Sequence, residues 1–338
     1  MTLTPPAAGS ARIDPLAPAH PGRWENGPVV VCHVDRAPVP VRLVSGRAPE
    51  LVTEHFEVHR PGGRLLVLHR FRPDELDDDV STLVAGELGA VVDSAPIFER
   101  VVTGIVRSTV GDALTAWSTF YANSLAVLRH PERAAAAGTK DPMVELGSAV
   151  SSRDAMSPQH AVSPPEASLA GFAPVHARAL AEVVGTTVAD LGACFGFLPL
   201  LMAERGLDVV ATDHTPGTMR LLSAVARSGV VPEAASRLRT VACDARAVPL
   251  RDDAVDTVTA IHLLEHLPGE DSVTVVAEMC RVARRRVVVA VPYEDEPDPV
   301  YGHLCRFSPD VLTALGERTG GRFRVEADHG GWLVADLG

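Results

Sequence analysis

The chain has 338 residues, 46% of them apolar, enough to bury one or two substantial cores without disulfides or a structural metal. Its formal net charge is −12, from 31 basic residues that are all arginine except Lys140 and 43 acidic ones, with no basic stripe. Such a chain repels phosphate backbones and anionic bilayers, so neither nucleic acid nor a membrane surface is an expected partner.

Residues 1–27 are rich in Pro, Ala and Gly without a period and are expected to form a mobile, disordered tail. They lack the basic start and apolar core of a secretory signal, and no later apolar run reaches the ~20 residues of a bilayer span. Cys32, Cys194, Cys243, Cys280 and Cys305 are odd in number and contain no C-x-x-C pair, which reads as reduced thiols. A soluble, cytoplasmic protein is expected.

Short β-like runs over 29–34, 39–44 and 64–69 predict a small antiparallel sheet, and Pro73-Asp74-Glu75 opens a helical stretch with acids in its first turn. From Ile97 to Leu128 apolar residues recur at helical spacing, predicting one or two amphipathic helices on which Trp117, Phe120 and Tyr121 form a packing stripe. Residues 28–130 are thus expected to form a small α+β domain that shapes a substrate site or mediates dimerisation. Residues 131–165, rich in Pro, Ser, Ala and Gly, are expected to be a linker.

Over 166–338 short apolar strands alternate with helices. Seven strands are predicted at 187–191, 208–212, 238–243, 255–261, 286–291, 323–326 and 332–336, the last two too close for a helical crossover and so an antiparallel hairpin. The fold class is α/β, a Rossmann-like, mostly parallel sheet covered on both faces.

Chemistry gathers at the predicted strand ends. In Val188-Ala-Asp-Leu-Gly-Ala-Cys-Phe-Gly196 a strand runs into a glycine-bearing turn, where Gly192 and Gly196 permit positive φ and close approach of a ligand. Asp190 there can hold turn amides or meet a cationic ligand group. Asp213 ends the next strand, 21 residues after Gly192, where Rossmann-type folds place an acid on ribose hydroxyls. Asp244 follows the third strand and could accept from an adenine amino group. Any one of these acids could be a solvated turn or helix cap; three at successive strand ends point to a ligand site.

Together these motifs resemble class I S-adenosylmethionine (SAM)-dependent methyltransferases over about 172–337. The family's glycine motif corresponds to Asp190, Gly192 and Gly196, with Cys194 replacing its middle glycine, and Asp244-Ala245 corresponds to its adenine motif. The stretch from Asp256 to His266 corresponds to the segment bordering the methionine end of the cofactor and the acceptor. The resemblance implies SAM as cofactor, held by Asp190, Gly192, Ala193, Cys194, Gly196, Asp213, His214, Asp244, Ala245 and His262. A nicotinamide fingerprint would need glycines that the loop lacks.

Methyl transfer to a hydroxyl needs a proton acceptor near neutral pH; the candidates are His266 and His262 at the strand edge, with Glu265 as orienter or alternative base, and His303 from a loop after the last parallel strand. His262-Leu-Leu-Glu-His266 also fits the H-x-x-E-H pattern of some zinc peptidases, but here it follows a strand in a methyltransferase motif, and no metal is expected.

A narrower resemblance, to the mycofactocin oligosaccharide methyltransferases, rests on strings spread over both domains. They are Phe98–Val106, Ala116–Asn123, Leu191–Leu200, Pro292–Pro297 and His329–Leu333. It implies O-methylation of a sugar, with the 2-hydroxyl of a glucose in the oligosaccharide of mycofactocin as acceptor. A homodimer is compatible with the sequence. The alternatives are O-methylation of another small molecule, such as a quinone, lipid or natural product, and a SAM-binding module without catalysis.

Overall fold

The computed structural model describes residues 13–37, 48–131, 168–297 and 301–338. Strands β1 (Arg23–Asn26) and β2 (Val29–His33) pair antiparallel, and β3 (Leu51–Val52), β4 (Phe56–His59) and β5 (Leu65–His69) complete a five-stranded sheet ordered β1-β2-β5-β4-β3. The expectation of an antiparallel sheet is corrected in one respect: β2 and β5 run parallel. The β3–β4 hairpin, unrecognised in the sequence, occupies the antiparallel edge of β5 and leaves β2 the other. The expected strand at 39–44 lies outside the described residues, as do residues 1–12 and the linker apart from residue 131.

Helices α1 (Asp79–Leu88), α2 (Ala95–Thr109) and α3 (Ala113–Arg129) follow. Helix α2 buries Val101, Val102 and Ile105 against this sheet, with Gly104 so close that a Cβ would lie 2.3 Å from Val31 Cγ2. The Asp112 carboxylate accepts the Thr115 N–H at 2.8 Å and caps the start of α3. The mobile tail expected over 1–27 is also corrected where it is described. Residues 13–27 include β1 and the buried Trp24, and they are anchored from outside: Arg107 donates to the Ala17 carbonyl at 2.6 Å and the Trp117 indole N–H to the Pro15 carbonyl at 2.8 Å.

From residue 168 helices and strands alternate: α4 (Leu169–Glu182), β6 (Thr187–Leu191), α5 (Phe197–Glu204), β7 (Asp208–Asp213), α6 (Pro216–Ala226), α7 (Ala234–Arg237), β8 (Leu238–Ala242) and β9 (Val255–Ile261). They continue with α8 (Gly269–Val282), β10 (Ala283–Val291), α9 (Pro309–Glu317), β11 (Arg322–Ala327) and β12 (Gly331–Asp336). The expected seven-stranded sheet forms, ordered β11-β12-β10-β9-β6-β7-β8, parallel except for the closing hairpin, in which β12 pairs antiparallel with both β10 and β11. Helices α4, α5 and α6 share one core with one face of the sheet, and α8 and α9 cover the other. That double cover explains why β9 is apolar or buried along nearly its whole length.

Helix α3 precedes the linker, yet its apolar face joins the core of the second sheet. Trp117, Phe120 and Tyr121 are buried there against Phe195 and Phe197, which confirms them as packing residues. Among the described residues no helix is long and apolar enough to cross a membrane.

Asp256 is the second residue of β9, at the end of the sheet opposite the strand ends that carry the motifs. Its carboxylate accepts the Thr186 N–H, the Thr187 hydroxyl and N–H, and Arg284, which hold its pKa down to about 2. A depressed carboxylate stabilises the fold above its unfolded pKa. Asp256→Asn is therefore expected to cost about 2 kcal/mol at pH 7, and the difference from the parent should vanish as pH falls from about 4 to 2. Chemical denaturation across that range checks it.

Candidate active site

The strand order reverses between β6 and β9, so the chain leaves β6 toward β7 on one side and returns to β9 on the other. In open α/β sheets this is where a crevice forms beyond the carboxyl ends of the strands. The motif residues lie around it.

After β6, residues 192–196 form the turn into α5. Gly192 and Gly196 have φ of +72° and +79°, as their sequence context predicts, and Cys194 adopts +48°. A non-glycine residue in this region costs roughly 1–2 kcal/mol, so the backbone path of the motif is kept despite its missing glycine. The space left by the glycines is filled by the protein: a Cβ at Gly192 would lie 2.6 Å from Leu263 Cδ1, and one at Gly196 2.4 Å from Leu222 Cδ2. The Ala193 N–H donates to the Thr212 carbonyl at 2.8 Å.

Asp213 organises this loop from the end of β7. Its two carboxylate oxygens accept the Cys194 N–H at 3.2 Å and the Thr215 N–H at 2.8 Å, leaving each oxygen a lone pair for a ligand. His214 beside it is largely exposed. The N-terminal half of the chain holds the loop from the other side, where the Tyr121 hydroxyl donates to the Phe195 carbonyl at 2.6 Å.

Asp190 is buried at the end of β6. It accepts the Thr259 hydroxyl at 2.5 Å, yet burial, reinforced by the charge of Asp213, raises its pKa to about 7. Two further acids come from the N-terminal half and were not singled out from the sequence. Cys194 feels the charges of Asp213, Asp78 and Glu99, and Glu99 those of His214 and Asp213. Asp78 and Glu99 reach solvent, but desolvation raises the pKa of both, to about 6 for Asp78, as expected of groups on the wall of a cleft. The described residues pair no arginine with Asp78, Asp190 or Asp213, so in their ionised forms these carboxylates suit a cationic ligand. Nothing in the local sequence around Asp78 or Glu99 signals this role; it comes from packing of the N-terminal half over the crevice.

Asp244 is arranged differently. Its exposed carboxylate is engaged by the Arg246 guanidinium at 2.6 Å, which lowers its pKa, and Arg246 also reaches Asp271. A lone pair remains for an adenine amino group, but the acid is not free as a sequence motif suggests. Ala245 is half-buried behind it.

The four expected catalytic candidates come together after β9. His262 turns the chain at φ +53°, and the 3₁₀ turn Leu264–His266 follows. Glu265 is fully buried, and its backbone carbonyl accepts the Leu304 N–H at 2.7 Å, which ties the 301–305 loop over the turn. Its carboxylate lies 3.3 Å from His262 Nδ1 without hydrogen-bond geometry, and neither of its oxygens has a hydrogen-bond partner among the described residues. His266 is exposed and meets the His303 ring edge-on, with centroids 4.9 Å apart. His303 Nδ1 faces the Glu294 carboxylate at 2.8 Å, and Tyr301 packs edge-on against Phe98 from α2. Desolvation on its inner side lowers the pKa of His266, against the raising effect of Glu265. The shift favours the neutral ring, which offers a lone pair.

Residues 189–291 match the family described as "Methyltransferase domain". The matched residues run from β6 to the end of β10, so the sequence pattern of that domain lies on the strands and the 192–196 loop described above. Uncharacterized methyltransferases of Mycobacterium tuberculosis and Mycobacterium bovis are 32% identical to this chain over 145 residues, 43% of the chain and 50% of each relative. The chain thus spans about half the length of the curated relatives it matches. Solved structures similar to it include the magnesium protoporphyrin IX methyltransferase of Synechocystis PCC 6803 with bound SAM, at 16% identity and a TM-score of 0.39 over 49% of this chain and 76% of that one. A geranyl diphosphate methyltransferase is similar at 15% identity and a TM-score of 0.41, over 50% of this chain and 79% of that one.

The carboxylate pair Asp190 and Asp213 permits a test of the cofactor reading in solution. The ionised form of Asp190 is the one that attracts a cation, so affinity for SAM is expected to fall as pH drops through about 7, becoming about tenfold weaker at pH 6 than at pH 8. S-adenosylhomocysteine (SAH), which lacks the sulfonium charge, should respond less, and Asp190→Asn should flatten the SAM profile. A parent profile that is already flat would remove Asp190 from the cofactor site.

Proposed function

We propose that the protein is a SAM-dependent O-methyltransferase whose acceptor is a sugar hydroxyl, and that the acceptor is the 2-hydroxyl of a glucose in the mycofactocin oligosaccharide. The observation that carries the reaction class is the position of the cluster formed by His262, Glu265, His266 and His303. It stands after β9, beside the acid-lined crevice where Asp190, Asp213 and the 192–196 loop suit the cofactor. The acceptor assignment rests on the sequence resemblance across both halves of the chain.

When bound, SAM supplies an electrophilic methyl group on a sulfonium. Asp213 would hold its ribose hydroxyls with the lone pairs left by Cys194 and Thr215, and the cleft-wall carboxylates, when ionised, would hold its cationic end. The chain's contribution to rate is alignment and exclusion of water, followed by handling of the acceptor proton. A sugar hydroxyl is a weak nucleophile until that proton leaves. Of the four candidates His266 alone presents an exposed ring, so its lone pair takes the proton as the new O–C bond forms. His303, held by Glu294, sets the orientation of the neighbouring ring. Methylation in the cytoplasm, by a protein that forms a homodimer, completes the proposal.

The experiment is incubation of the purified protein with methyl-labelled SAM and a fractionated host extract, followed by mass spectrometry and glucosidase treatment. Label on a hexose of a glycosylated redox cofactor is the expected result. Label on a glycan-free product would keep the reaction class and overturn the acceptor.

A further inference from the structure

We infer that Glu265, His266 and His303 form a binding site for a divalent cation of borderline character, such as Zn²⁺ or Co²⁺, on the acceptor side of the crevice. A carboxylate oxygen of Glu265 and one nitrogen of each histidine all lie within 4.8 Å of one another. Ligand atoms of a tetrahedral site with bonds near 2.1 Å stand ~3.4 Å apart, so side-chain movements of roughly 1 Å would close the set around an ion.

Two independent features point to an ion. The Glu265 carboxylate is fully buried and neither oxygen has a hydrogen-bond partner among the described residues, an expensive arrangement that a cation would resolve. The second feature is the outer support of the histidines. His303 Nδ1 faces the Glu294 carboxylate at 2.8 Å and His266 Nδ1 faces the Gly302 carbonyl at 3.4 Å. That leaves Nε2 of each ring available, the arrangement by which carboxylates and carbonyls fix the tautomer of metal-binding histidines. Two imidazoles and one carboxylate suit zinc-like ions better than Mg²⁺, and three protein ligands leave a position open.

The open position would take the acceptor hydroxyl. With the cation in place the His266 lone pair is spent on the ion: the hydroxyl O–H breaks with its proton passing to solvent, the O–C bond forms, and the C–S bond breaks to leave a neutral thioether. This role rests on the methyl-transfer reading, whereas the site itself does not.

The test uses the full chain, freed of metal with a chelator and titrated with Co²⁺ in the absence of SAM. One Co²⁺ per chain is expected, with the visible absorption of a low-coordinate site. Glu265→Gln and His303→Ala should abolish that absorption, Glu294→Ala should weaken Co²⁺ binding 10- to 100-fold, and Cys305→Ser should leave it unchanged. Circular dichroism and SAM binding report whether each variant is folded; His303, in a loop, keeps the test open should Glu265→Gln fail to fold. No Co²⁺ uptake by the parent, or uptake indifferent to His303→Ala, overturns the site. Equal turnover by metal-free and reloaded protein overturns its role and leaves His266 as the proton acceptor, while the methyltransferase reading stands.

Discussion

Replacing Asp213 by alanine is expected to weaken binding of both SAM and SAH about a hundredfold. The two ligands share the ribose, whose vicinal hydroxyls would donate to the two carboxylate oxygens. Hydrogen bonds to a charged group contribute about 1.5–3 kcal/mol each, and 1.4 kcal/mol is tenfold in affinity. Asp213 also accepts from Cys194 and Thr215, so its loss loosens the loop that borders the ligand. Asp213→Asn keeps an acceptor and should lose less. Calorimetry on the three proteins reads these differences, and an alanine variant with parental affinity would remove Asp213 from the ribose site.

The second large effect is on turnover. His266→Ala is expected to lower kcat by 10²- to 10³-fold, within the range for a positioned proton acceptor, while the Kd for SAM changes less than about twofold. The split follows from geometry: His266 is exposed on the turn after β9 and packs edge-on with His303, whereas the loop and acids suited to the cofactor are Asp190, Asp213 and residues 192–196. The loss is expected whether the His266 lone pair takes a proton or holds a cation. Rapid-quench measurement of the methylation step with saturating SAM separates it from product release. Unchanged turnover would take His266 out of the reaction.

Much of the second half of the chain was legible because its signals are local. The β6–loop–α5 turn, Asp213 at a strand end and the largely buried β9 all follow from short-range pattern, and Cys194 in place of a glycine still takes the positive φ of the turn. The N-terminal half was less legible because tertiary contacts decide it. The parallel pairing of β2 with β5 depends on an intervening hairpin of two short strands. Residues 13–27 have no period and are fixed by side chains about ninety and a hundred positions away, Arg107 and Trp117.

The same holds within the site. Asp190 and Asp213 announce themselves at strand ends, but Asp78 and Glu99 reach the crevice only because α1, α2 and α3 pack over it. The Glu294–His303 pair depends on a loop folding back across the turn at Glu265. The roles of Gly192 and Gly196 were only half visible: positive φ was expected, whereas their contacts with Leu263 and Leu222 required the folded chain.

Isothermal titration of the purified chain with SAM, and separately with SAH, tests the cofactor site on which the methyl-transfer reading depends. One molecule of each per chain, competing for a single site, is the predicted result; absence of binding by both would contradict the reading of Asp190, Asp213 and the 192–196 loop.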